Sequence, residues 1–137
     1  MSLSLAPVSA AVYSALHVGA LTTLAPGGVH DDVPQSASFP WVLYEVQERD
    51  VRGFGGGALP EVDLRVRVFS TYPGKNEAQR ILAKAIELLK DQTLTVTGFD
   101  HCGRVIYDST VLVGDEEING VVCHELAANF RIYVEAQ

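Results

Sequence analysis

His101 adjoins Cys102, and Cys123 adjoins His124. These are the residue types of a Cys₂His₂ zinc site, so metal chemistry is the first reading to test. The spacing opposes it. Zinc patterns separate paired ligands by about two to four residues, and neighbours on a strand point to opposite faces. A hairpin turning within residues 114–120 would set Cys102 opposite Ile132 and Cys123 opposite Val111. The two thiols would then lie roughly 30 Å apart at about 3.3 Å per residue. That separation also opposes a disulfide, so both read as buried or inert thiols. A Cys/His nucleophile pair fails for a related reason: nucleophile and base must converge in space, which sequence neighbours rarely do. His17 and His30 read as solvated or satisfied. No catalytic residue, metal ligand or cofactor site is expected.

Gly53, Gly55, Gly56 and Gly57 crowd one short segment. A glycine-rich loop can cradle phosphate, but no Lys-Ser/Thr follows and a strand rather than a helix comes next. Residues 47–60 read instead as a long mobile hairpin loop, costly to order. Loops beyond about 12 residues usually have a job or are disordered. Arg49, Arg52 and Phe54 are interface-anchor types, which suits a segment that orders when another chain arrives. Acidic clusters occur at Asp31 and Asp32, and at Asp115, Glu116 and Glu117. They read as solvated loops, with too few oxygen ligands for calcium. Glu125 interrupts an apolar strand and reads as water-facing. A ligand-binding or enzymatic alternative would draw on Tyr44, His124 and Glu125, and would need a deep pocket that gathers them.

The elements that must position these residues follow from composition and pattern. The chain has 137 residues, 47% hydrophobic and 20% charged, and its net charge is −7. That is the length of one domain, 1–137, able to bury a core. The acidic balance opposes a protein built to grip phosphate backbones. No run reaches the roughly 18–20 apolar residues of a membrane span, and residues 1–10 lack the positive region of a secretory leader. Two cysteines are too few for a disulfide framework.

Residues 7–18 predict a helix, with Pro7 in its first turn and Gly19 as its stop. Leu21, Leu24 and Ala25 suggest a second short helical piece before Pro26, Gly27 and Gly28. Residues 29–33 read as extended, 34–40 as a loop and 40–46 as a strand. Residues 61–69 alternate cleanly: Val62, Leu64, Val66 and Val68 on one face, Glu61, Asp63, Arg65 and Arg67 on the other. Residues 76–90 predict the best helix, capped by Asn76 with Gln79 three residues on. Its stripe is Ala78, Ile81, Leu82, Ala85, Ile86 and Leu89, the width of a helix packed on a sheet. Three β-like segments close the chain at 93–99, 104–113 and 121–134, with residues 114–120 as the last hairpin connection. The fold class expected is α+β: a mixed, mainly antiparallel sheet with helices packed on it and a long Gly-rich β-hairpin loop.

This order resembles the tail terminator (tail completion, head-to-tail joining) proteins of long-tailed phages and gene transfer particles. The residues that carry it are the helix from Ala11 to Leu16, the Leu-Thr-Thr-Leu piece from Leu21 to Leu24, and Val33, Pro34 and Gln35. They continue with the Phe-Pro-Trp-Val run from Phe39 to Val42, the Gly-rich hairpin before the 62–69 strand, and the helix carrying Ala78, Ile81, Leu82 and Ile86. The last is Phe-Arg-Ile-Tyr-Val from Phe130 to Val134. The resemblance implies a structural virion protein at the tail–head junction, assembled in the host cytoplasm, and not an enzyme. It implies a homo-oligomeric ring, a hexamer, that caps the tail tube, stops its polymerisation and meets the head-side connector or stopper protein. Another neck protein, the head–tail stopper, is the nearest alternative. DNA would pass the lumen without specific binding; six copies at −7 each, about −42 in all, would repel it. The interface expected from these arguments is Arg49, Arg52, Phe54, Gly55, Gly56, Leu59, Arg65 and Arg67. The acidic partners expected are Asp31, Asp32, Asp115, Glu116 and Glu117 on a neighbour.

Overall fold

Every second residue of β3 (Glu61–Ser70) turns inward, and Val62, Leu64, Val66 and Val68 are each at most 1% exposed. The structure, a computed structural model, describes residues 5–32, 38–49, 61–71, 75–94, 104–118 and 120–133. The other strands are β1 (Val29–His30), β2 (Trp41–Arg49), β4 (Arg104–Ile118) and β5 (Val121–Tyr133). They form one five-stranded open sheet in the order β1-β2-β3-β5-β4. β1 pairs parallel to β2; the other pairings are antiparallel. This is the mixed α+β architecture expected from the pattern.

The helices lie on one face of the sheet. α1 (Leu5–Leu16) buries Val8, Val12 and Leu16, one residue per turn, against β1 and β2. α2 (Gly19–Thr22) turns Leu21 inward; α1 already ends at Leu16 and Val18 is extended, so Gly19 begins a second helix rather than stopping the first. α3 (Asn76–Leu89) buries Ala78, Ile81, Leu82, Ala85 and Leu89 against β3 and β5. Each fully buried Leu or Ile contributes about 1.5–3 kcal/mol through area removed from water. Opposite these helices stand Val42 and Tyr44 of β2, Leu126, Ala128, Phe130 and Ile132 of β5, and Val105 of β4.

The other face carries a smaller apolar cluster of Trp41, Leu43, Phe69 and Cys123, with Phe39 packed on it. Trp41 stacks on Phe69 with ring centroids 4.2 Å apart. Gly27 binds this region to the helices by close approach: its N–H donates to the Pro40 carbonyl at 2.9 Å.

Four further sequence expectations change. The β4–β5 connection is not residues 114–120. β4 runs on to Ile118, which pairs with Val121. Gly114, at φ 122°, lies at an irregularity between Leu112 and Gly114 rather than in the turn. Asn119-Gly120 is the two-residue dipeptide that short hairpins favour, and Gly120 has the positive φ (81°) such turns require. Cys123 therefore pairs with Glu116, not Val111, and Ile132 pairs with Val105. Second, β2 extends through Arg49, so residues 47–49 are strand rather than loop. Third, Asn76 does not cap α3. It is already helical, Lys75 precedes the helix with no side-chain cap, and the Lys75 carbonyl accepts from Gln79 N–H at 2.9 Å. A capping side chain needs the non-helical backbone of the residue before the first turn. Fourth, Glu125 does not face water; it is 1% exposed. The strand expected at 93–99 is described only at Thr93, a bridge residue, and Leu94. The rest of that segment lies outside the described residues, with His101 and Cys102.

Candidate assembly interface

The helix-free face of the sheet collects the charged side chains that the strand alternation turns outward. The pairing register sets Arg67 beside Leu43 on one flank and Ala127 on the other, with Glu45 and Glu125 one step away on the same face. Arg67 answers both acids. Its Nε donates to Glu125 Oε2 at 3.0 Å and its Nη2 to Glu125 Oε1 at 2.8 Å, a two-pronged bond. Its Nη1 donates to Glu45 Oε1 at 3.0 Å. The guanidinium also lies 5.2 Å from the Phe69 ring centroid. The Glu125 bond, with Glu45 behind it, pushes the Arg67 pKa above its already high ordinary value, so the arginine is permanently charged. This explains how β5 tolerates a buried carboxylate: the charge is paired and both oxygens are bonded.

A second ionic group lies along the same face. Arg131 Nε donates to both Asp108 carboxylate oxygens at 3.0 Å, and its Nη1 donates to the Tyr133 hydroxyl at 3.1 Å. Between the two groups, Glu45, Gln47, Asp63, Arg65, Asp108 and Asn129 line an open depression. Arg65 is exposed and makes no ion pair among the described residues.

The expected acidic partners lie away from Arg65 and Arg67. Asp31 and Asp32 follow β1 at one edge of the sheet and are exposed. Asp115, Glu116 and Glu117 belong to the far end of β4, at the opposite edge. There His124 Nδ1 meets Asp115 Oδ1 at 2.6 Å, and this hydrogen bond holds the Asp115 carboxyl below the usual carboxylate range. Arg49 ends β2, paired with Glu61. Arg52, Phe54, Gly55, Gly56 and Leu59 lie outside the described residues. Sequence reasoning missed Glu45 and misjudged Glu125. Their partnership with Arg67 depends on which strands become neighbours, for which one sequence carries no signal.

The residues of the enzymatic alternative do not converge. Tyr44 and His124 share the helix-bearing face but sit at different positions along it, and Glu125 is on the other face. Burial, the leading cause, raises the Tyr44 pKa and favours its neutral phenol. Among the described residues no cluster of three or more His, Cys, Asp or Glu could hold a metal ion. No described helix is long and apolar enough to cross a membrane.

Comparison with known proteins gives this arrangement a context. The model of a family described as tail completion protein gp17 matches residues 10–135. Among solved structures, the chain is similar to a chain from the virion of a native gene transfer agent particle. The two share 20% identity over 97% of this chain and 100% of that one, with a TM-score of 0.71. A second solved chain shares 15% identity over 99% of each chain, with a TM-score of 0.62. At such identities the likeness is one of fold. No curated protein matches the chain in sequence.

Proposed function

The chain belongs to the tail completion protein gp17 family, and on that premise we propose that it is a ring-forming tail terminator. It is a structural tail protein of a phage or gene transfer particle, not an enzyme. Its site of action is the tail–head junction of the particle. In the proposed mechanism, six copies of the single 1–137 domain close on the last ring of tube protein. The ring caps the growing surface and presents its other side to the head-side connector. DNA passes through the lumen, repelled by the acidic balance of the chain rather than bound.

The observation that best supports a subunit contact here is Arg65. Arg67 and Arg131 on the same face are tied to acids of their own chain, whereas Arg65 has no ionic partner among the described residues. An exposed arginine is a common anchor for a neighbouring protein. Exposed acids on a neighbour, such as Asp31 and Asp32 or Asp115 and Glu117, would complement it. The Gly-rich segment 50–60, with Arg52, Phe54 and Leu59, is assigned the role of an arm that grips a tube or ring subunit.

Negative-stain microscopy of the purified protein mixed with its tube protein tests the reading. Tubes of fixed length with a closed ring at one end are expected. Unchecked polymerisation would place the protein elsewhere in the neck. Deleting residues 52–59 is expected to leave a folded protein that no longer terminates tubes; normal termination would exclude the arm.

A further inference from the structure

We draw no further inference here: the strongest candidate, the side-chain cluster at one end of the sheet in which Glu77 of α3 bonds Ser70 of β3 and Asp115 of β4 bonds His124 of β5, carries nothing because those hydrogen bonds run between its own members and nothing else among the described residues points to a ligand there.

Discussion

Arg67 and Glu125, 58 residues apart in sequence, meet through two hydrogen bonds of 3.0 and 2.8 Å across the β3–β5 seam. The acid is 1% exposed and the arginine side chain 26% exposed. Removing one partner strands a charge with little water to receive it. Breaking buried pairs costs about 3–5 kcal/mol, and the partial exposure of Arg67 places Arg67→Met toward the lower end. Urea denaturation of Arg67→Met and the double variant Arg67→Met/Glu125→Leu is the check. The single variant is expected to lose stability, and the double to recover most of it.

Gly27 and Gly19 are expected to respond oppositely to alanine. A Cβ on Gly27 would fall 1.9 Å from the Ser38 carbonyl oxygen and 2.6 Å from that of Pro40. Backbone oxygens cannot swing aside as side chains do, so Gly27→Ala should reach or exceed the upper end of the roughly 1–3 kcal/mol that overpacking costs. A Cβ on Gly19 meets nothing within 4 Å. Gly19→Ala should be neutral or stabilising by up to about 1 kcal/mol. Thermal melts of the two variants decide it.

Asp115 supplies a pH prediction. Its hydrogen bond with His124, the leading cause, lowers the carboxyl pKa in the folded state. A depressed carboxylate adds stability above its unfolded pKa, about 3.9, and loses it as pH falls through the lower folded value. The stability gap between wild type and Asp115→Asn should therefore be present at neutral pH and close as acid is added below about pH 4. Carbon-detected NMR titration should show the Asp115 carboxyl returning toward its ordinary range in His124→Gln.

Arg65 and Arg67 should separate assembly from folding. Arg65 is exposed, so Arg65→Glu is expected to change stability by no more than about 0.5 kcal/mol while abolishing rings. Arg67→Glu should destabilise the isolated protein by placing a third acid beside Glu45 and Glu125. Unaltered rings from Arg65→Glu would remove this face from the contact.

The fold was legible where one residue type repeats at a strong period. The alternation of Val62, Leu64, Val66 and Val68 and the stripe from Ala78 to Leu89 each specify both the element and its buried side, because burial acts on faces. Boundaries were less legible. Gly114 and Gly120 both permit a positive φ, and the hairpin tip depends on which of them the strand register allows. Three acids at 115–117 suggested a loop, yet an edge strand can hold such residues because one face and one flank remain open to water.

Helical and strand propensity, the acidic balance, the lack of any run of about 18 apolar residues and the family resemblance were all properties of the sequence alone. The tertiary structure decided the partners. Glu125 is a buried ion-pair acid because β3 and β5 became neighbours with Arg67 one step from it, and β5 supplied no sign of that neighbour. Val111, Leu112 and Val113 read as ordinary strand residues until the strand order put β4 at the edge. Local sequence sets which side of an element is apolar; only the packing of distant elements sets whether that side ends in the core, in an ion pair or at an open edge.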